Sequence, residues 1–154
     1  MVHKLYILGL VMVLFFPSVG RCAAIDWKSY PEGMVQARQE NKKILLHFKS
    51  DRCPYCVKMD RVTFSDSRVI EFLNKEFVCI QVNGDKEGKL TQAFNVRGYP
   101  DTRFLNEKQE PVFGFVGFQG PEAVMVFLEY VRTESYKTMD PMQFYNSRQK
   151  QKTN

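Results

Sequence analysis

The chain has 154 residues, of which 44% are hydrophobic, 25% charged and 14% aromatic, a profile typical of a globular domain. A chain of this length buries about two thirds of its unfolded surface, so disulfides are not needed merely to fold it, which excludes a cysteine-stapled miniprotein. The net charge is +5, but residues 1–24 hold two bases and residues 137–154 hold four bases and one acid, which leaves sixteen of each sign between them. This balance disfavours a nucleic-acid-binding protein, because no basic stripe is left for a phosphate backbone.

The first 24 residues have the layout of a secretory signal. A lysine precedes an uncharged run over residues 5–16, and a proline and small residues follow. Residues 5–20 are short of the ~20 apolar residues that span a bilayer, which favours a cleaved signal over an uncleaved membrane anchor. Arg21 stands where a small residue would precede a lipidated bacterial cysteine, which disfavours lipidation of Cys22. We predict a signal peptide over residues 1–24 and export, to the periplasm if the source is bacterial.

The following residues alternate between helix and strand patterns. Amphipathic or polar segments predict helices, and short continuous apolar runs predict buried strands. In chain order we predict helix 29–41, strand 42–50, helix 57–64, helix 68–74, strand 77–82, helix 86–96, strand 102–106, strand 112–118 and helix 121–136. Parallel strands need helical crossovers, so the order βαβ then ββα predicts one α/β domain over residues 25–136, with a central mixed β-sheet flanked by helices on both faces.

Residues 137–154 form a basic, polar C-terminal tail that still contains four large apolar side chains. Two interpretations stay open: its first part packs back on the domain, or the whole tail is solvated. The apolar side chains are Met139, Met142, Phe144 and Tyr145.

Cys53, Pro54, Tyr55 and Cys56 form a CxxC motif directly after a predicted buried strand and at the start of a helical pattern. The free N–H groups and the dipole at a helix N-terminus favour an anion, so we predict that Cys53 is a thiolate nucleophile. Cys56 lies about one turn further on and can attack a mixed disulfide formed by Cys53. Pro54 preorganises the first helical turn.

Two other interpretations of the motif are a structural disulfide and half of a zinc site. Zinc would require His47 and Cys79 to converge on the motif, because there is no second CxxC. A redox-active pair is therefore favoured, no metal is expected, and Cys79 is predicted to fill core volume as a small hydrophobe.

Three segments, ILLHFKSDRCPYC, FVCIQVNGD and VRGYPDTRF, resemble the thioredoxin family in their order and spacing. The resemblance covers residues 25–136 and implies the thioredoxin fold. It is strongest to exported bacterial thioredoxins, including those of sulfur-oxidation gene clusters, which share the CPYC-type site and a KM-x-x-x-F continuation, here Lys58, Met59 and Phe64. CPYC also resembles glutaredoxins, but their Gly-Gly glutathione element is not found in this sequence.

The resemblance assigns Pro100 to the family's cis-proline beside the active-site disulfide, although sequence alone favours a trans bond. Tyr99 would then offer its backbone to an extended substrate, and Pro54 and Tyr55 would also contact substrate.

His47 occupies the position of the family's buried acid, six residues before the first active cysteine. It is either the group that exchanges a proton with Cys56 or a packed core histidine. Arg52 replaces the family's tryptophan before the first cysteine. With Lys49 and Lys58 it either places positive charge near the motif or is simply solvated.

The resemblance implies an exported thiol:disulfide oxidoreductase that reduces protein disulfides, with the Cys53–Cys56 pair cycling between dithiol and disulfide. It needs no diffusible cofactor. Cysteine-containing proteins are the expected substrates, a membrane thiol-disulfide carrier is the expected electron source, and we expect a monomer. The alternatives are a thiol oxidase or isomerase in the same compartment, or a non-catalytic, chaperone-like module that binds peptides.

Overall fold

Five strands and six α-helices make up residues 24–152, the part of the chain that the computed structural model describes. All of the predicted signal segment except Ala24 lies outside these residues. The strands are β1 Trp27–Lys28, β2 Lys43–Lys49, β3 Phe77–Asn83, β4 Asp101–Leu105 and β5 Pro111–Val116. The helices are α1 Tyr30–Glu40, α2 Pro54–Val62, α3 Ser67–Glu76, α4 Gly88–Ala93, α5 Pro121–Arg132 and α6 Pro141–Lys152, with a short 3₁₀ turn at Ser135–Lys137.

The strands form one mixed sheet in the order β1-β3-β2-β4-β5. β2 lies at its centre, parallel to β3 and antiparallel to β4. β1 joins the edge next to β3, and β5 pairs antiparallel to β4 at the other edge. The predicted mixed sheet with helices on both faces is confirmed, but the two-residue strand β1 was missed because it is too short to show an alternating pattern.

Local capping chemistry sets the ends of the helices. Ser29 and Glu32 form a capping box at the start of α1, and α1 ends where Asn41 adopts the left-handed conformation. Asp66 caps α3 by accepting hydrogen bonds from the backbone N–H groups of Arg68 and Val69. These polar residues fix where each helix begins, so the apolar faces meet the sheet in one register.

Two apolar layers cover the two faces of the sheet. Because side chains alternate along a strand, β2 sends Ile44, Leu46 and Phe48 to one face and Leu45 and His47 to the other. The first face packs against α1 and α4, and the second against α2, α3, α5 and α6. All five of these β2 side chains are buried, which makes β2 the rigid base from which the CxxC motif leaves the sheet.

Residues Pro141–Lys152 form α6, which packs on α5. Phe144 is buried with its ring centroid 5.3 Å from that of Tyr130. The Tyr130 hydroxyl donates a hydrogen bond to the Met139 carbonyl oxygen, 2.8 Å away. The structure therefore agrees with the interpretation in which the first part of the tail packs back on the domain.

Within residues 24–152, no helix combines the length and the apolar character that a bilayer crossing needs.

Candidate active site

The two cysteines of the CxxC motif lie where β2 gives way to α2. Cys53 is the N-cap residue of α2, with extended backbone angles, and Pro54 is the first helical residue. The Cys53 carbonyl accepts hydrogen bonds from the N–H groups of Cys56 and Val57, at 3.1 and 3.2 Å, which closes the first turn. The motif therefore has the predicted strand-to-helix position, with Cys53 at the positive end of the helix dipole.

The two thiols differ in exposure and in acidity. Cys53 is half-buried, whereas Cys56 is completely buried. Burial, helped by the neighbouring Cys53 thiol and the Asp60 carboxylate, raises the pKa of the Cys56 thiol to about 12, although a backbone hydrogen bond at Ser50 opposes the shift. Both are free thiols in this structure, so the predicted Cys53–Cys56 disulfide is not formed here and the pair is in its dithiol state.

The loop before β4 lies directly against Cys53. The Tyr99–Pro100 peptide bond is cis, as the resemblance implied. The Cys53 thiol donates to the Tyr99 carbonyl oxygen at 3.4 Å, and the Pro100 carbonyl accepts from the Gly117 N–H at 2.7 Å. Tyr99 and Pro100 therefore lie beside the sulfur, while the Tyr55 side chain is 61% exposed on the first turn of α2.

His47 lies inside the core and not in the opening around Cys53. Its side chain is completely buried, and its Nδ1 lies 2.9 Å from the Thr102 hydroxyl oxygen. Its Nε2 has no hydrogen-bond partner among the described residues. Burial, together with the nearby Lys49 charge, lowers the pKa of His47 to about 3, so the ring is neutral at ordinary pH. Among the hydrogen bonds of residues 24–152, none joins His47 to Cys56.

A charged pair next to Cys56 was missed in the sequence analysis, which treated Lys49 only as a flanking charge. The Lys49 ammonium lies 2.6 Å from an Asp60 carboxylate oxygen, and the Lys49 side chain is only 19% exposed. Asp60 follows Cys56 by four residues on α2, a spacing that places both on one helix face. That spacing was the available signal, but only the sheet geometry brings Lys49 to the same place.

The other two flanking bases are also engaged by neighbours. The Arg52 guanidinium is 86% exposed and lies 3.1 Å from an Asp85 carboxylate oxygen. The Lys58 ammonium lies 4.4 Å from the centre of the Phe118 ring.

Cys79 is buried in the core on the face of the sheet that α2 covers. Burial raises the pKa of its thiol to about 12, which keeps it protonated and unreactive. The prediction that Cys79 fills core volume is confirmed. Within the described part of the chain, no three histidine, cysteine or acidic side chains form a group that could hold a metal ion.

Comparison with known proteins finds a matching family and several similar chains. The family profile described as a thioredoxin-like domain matches residues 30–132. The chain is 27% identical over 107 residues to the disulfide bond reductase DsbH of Chlamydia pneumoniae, a match that covers 60% of this chain and 64% of that protein. It is 31% identical over 83 residues to the thiol:disulfide interchange protein DsbD of Vibrio cholerae, which covers 51% of this chain but only 14% of that protein. The chain thus spans less than two thirds of each of these relatives.

Solved structures show the same similarity. A thioredoxin from Thermus thermophilus, 27% identical, superposes with a TM-score of 0.65 over 70% of this chain and 87% of that one. A putative disulphide-isomerase from Bacteroides thetaiotaomicron, 30% identical, gives a TM-score of 0.56 over 71% of this chain and 89% of that one.

Proposed function

The chain belongs to the thioredoxin-like family of thiol:disulfide oxidoreductases, and on this premise we propose that it reduces disulfide bonds in proteins through Cys53 and Cys56. One observation carries the proposal. The half-buried Cys53 sulfur lies at the start of a helix, 3.4 Å from the carbonyl of Tyr99, with the fully buried Cys56 one turn behind it. A partly exposed attacking thiol and a sheltered resolving thiol are suited to two-step disulfide exchange.

In the first step the Cys53 thiolate attacks one sulfur of a substrate disulfide. A bond forms between Cys53 and that sulfur, the substrate S–S bond breaks, and the other substrate sulfur leaves as a thiolate that takes up a proton. In our proposal the substrate backbone pairs with Tyr99, and Pro54 and the exposed Tyr55, on the first turn of α2 next to Cys53, also contact the substrate. The 3.4 Å contact between the Cys53 sulfur and the Tyr99 carbonyl oxygen supports this arrangement.

In the second step Cys56 loses its proton and attacks the Cys53 sulfur. The Cys53–Cys56 disulfide forms, the second substrate sulfur is released as a thiol, and two electrons have passed from the protein to the substrate. Because the pKa of Cys56 is about 12, this step needs a nearby proton acceptor. We assign that task to the Asp60 carboxylate held by Lys49, because Asp60 lies one helical turn from Cys56 on α2 and its charge acts on the Cys56 thiol, whereas His47 is hydrogen-bonded to Thr102.

The reducing direction is supported by the similarity to a protein named as a disulfide bond reductase. Working as a reductase requires a supply of electrons, for which we propose a thiol-disulfide carrier in the membrane. Residues 1–24 are proposed as the signal that exports the domain to the periplasm, and cysteine-containing proteins of that compartment are the proposed substrates.

Reduction of insulin by dithiothreitol, followed by turbidity, tests the activity. We expect the chain to accelerate precipitation and a Cys53→Ser, Cys56→Ser variant to be inactive. Full activity in that variant would instead indicate a peptide-binding module without turnover. The direction is tested by the reduction potential of the pair in glutathione buffers: a value near the ~−270 mV of thioredoxin supports the reductase, and one near the ~−120 mV of a strong oxidant contradicts it.

A further inference from the structure

The turn at the end of β3, which consists of the last strand residue Asn83 together with Gly84 and Asp85, contacts both halves of the active site. One half is the loop Ser50–Arg52, which connects β2 to Cys53, and the other is Tyr99. Neither the CxxC motif nor the proline loop includes this turn, and the mechanism above does not use it.

Asp85 holds the loop before Cys53 through three separate donors. Its carboxylate accepts from the Ser50 hydroxyl at 2.9 Å, from the Asp51 N–H at 2.9 Å and from the Arg52 guanidinium at 3.1 Å. The Ser50 hydroxyl and the Arg52 guanidinium hold the pKa of Asp85 below its usual range, so the carboxylate is charged at neutral pH. One side chain therefore fixes three consecutive residues that lead into the nucleophile.

Asn83 and the backbone of Gly84 hold the turn itself in place. The Asn83 side chain donates to the Asp51 carboxylate at 2.8 Å and accepts from the Asp85 N–H at 3.0 Å. The Gly84 N–H donates to the Lys49 carbonyl oxygen at 2.8 Å. All three residues of the turn are thus hydrogen-bonded, through backbone or side-chain groups, to residues 49–52.

Gly84 also brings the turn against Tyr99. A Cβ atom at Gly84 would lie 1.9 Å from the Tyr99 hydroxyl oxygen and 2.4 Å from the ring carbon that bears it, so only glycine leaves room for this ring. The same Tyr99 offers its carbonyl oxygen to the Cys53 sulfur. A displacement of the turn would therefore move Tyr99 and the loop before Cys53 together.

We propose that Asp85 and Gly84 are positioning residues that set the Cys53 sulfur against the Tyr99 backbone, and so determine how well an extended protein disulfide aligns for attack. The inference rests on the proposed function, because only a substrate that pairs with Tyr99 needs this alignment. Misplacing reacting groups by about 1 Å is enough to slow a reaction by up to ~10²-fold. A small reagent that approaches Cys53 alone does not depend on Tyr99.

The test compares two reactions of the full chain: the kcat/KM for insulin reduction and the rate of Cys53 alkylation by iodoacetamide. We expect Asp85→Ala to lower kcat/KM about tenfold while changing the alkylation rate by less than about twofold. Asp85→Asn keeps acceptors for Ser50 and Asp51, so it should restore most of the activity. Gly84→Ala acts by displacing Tyr99. It should lower the ratio of kcat/KM for insulin reduction to the rate of Cys53 alkylation.

The matched control is Asp66→Ala. Asp66 also accepts from backbone N–H groups and from a guanidinium, that of Arg68, but it caps α3 and has no contact with the loop Ser50–Arg52 or Tyr99 among the described residues. We expect it to lower the thermal unfolding midpoint and leave the ratio of the two rates unchanged.

Three outcomes are distinguishable. A selective loss of insulin reduction in Asp85→Ala and Gly84→Ala supports the inference. If Asp85→Ala slows both reactions equally, or if Asp66→Ala shows the same selective loss of insulin reduction, the inference is overturned. Asp85 and Gly84 then have only a structural role. If the unmodified chain does not reduce insulin while Cys53 is still alkylated, the proposed function fails.

Discussion

His47 and Lys49 lie two residues apart on β2 and face the same side of the sheet, yet their surroundings are opposite. His47 is sealed among Trp27 and Phe64, with ring centroids 5.9 and 4.9 Å from its own, and is kept neutral. Lys49 reaches the edge of the core and forms an ion pair with Asp60 on α2. Over two residues of the strand, the surroundings change from an apolar core, where burying a charge costs too much free energy, to a position where an ionic partner stabilises the charge.

This comparison shows that position within a motif does not by itself assign a proton-exchanging group. The position that the family gives to its buried acid here holds a ring that stays uncharged, while the charged carboxylate comes from a different element. The four predictions below test that difference, from the largest expected effect to the smallest.

Replacing Cys56 removes the thiol that lies beside the Lys49–Asp60 pair. Cys56→Ser should lower insulin-reducing turnover at low dithiothreitol by at least about 10³-fold, because the protein itself can no longer resolve the mixed disulfide on Cys53. Mixed with insulin in the absence of dithiothreitol, the variant should accumulate a covalent Cys53–substrate adduct, which intact mass detects and added dithiothreitol releases. Cys53→Ser is the matched control and should form no adduct. An adduct in that variant would mean that Cys56, and not Cys53, attacks the substrate.

His47→Phe should alter the pH dependence of stability. Below pH ~6.5 the unfolded chain protonates His47 whereas the folded chain, with a pKa of about 3, does not, so stability falls as the pH falls. The loss is ~1.4 kcal/mol per pH unit, which amounts to about 2 kcal/mol between pH 7 and pH 5.

Urea denaturation at pH 7 and pH 5 measures this loss of unfolding free energy. Between the two pH values, the loss in His47→Phe should be smaller than in the unmodified chain by about 2 kcal/mol. An equal loss in both proteins would mean that His47 is not the buried neutral base described here. Insulin reduction at pH 7 should stay within about twofold of the unmodified chain, and a much larger drop would return the proton-exchange role to His47.

Asp60→Asn should slow turnover at pH 7 about tenfold, since general acid–base groups contribute at least that much. The same change removes a negative charge and should lower the pKa of Cys56, because Asp60 raises it. A faster turnover at pH 7 would therefore mean that Asp60 acts only through its charge. Glu71→Gln, an exposed carboxylate on α3, is the control and should have no effect on either quantity.

Lys49→Gln should have the smallest effect, about a threefold loss of turnover at pH 7, because a partly buried ion pair of this kind contributes about 1 kcal/mol or less. The steady-state rate measured in 0.05 M and 0.5 M salt checks this prediction. If the loss equals that of Asp60→Asn, the ion pair as a unit, and not the Asp60 carboxylate alone, supports the second step.

Much of the fold could be predicted because its signals are local. The apolar run of β2, the CxxC motif after it and the polar residues that cap α3 all depend on neighbours in sequence. β1 could not be predicted, because two residues show no periodicity, and its place beside β3 depends on a pairing with distant residues. The packing of α6 could not be predicted either, because the burial of Phe144 depends on its packing against Tyr130 on α5.

The sequence by itself determined the chemistry: two cysteines at CxxC spacing, at the start of a helix, after a buried strand. The tertiary structure decided how that chemistry is controlled. It buried Cys56 and His47, joined Lys49 to Asp60 across two elements, and set Asp85 and Tyr99 around Cys53. Acidity and alignment depend on desolvation and on charges a few ångströms away, and those neighbours come from segments that lie far apart in the chain.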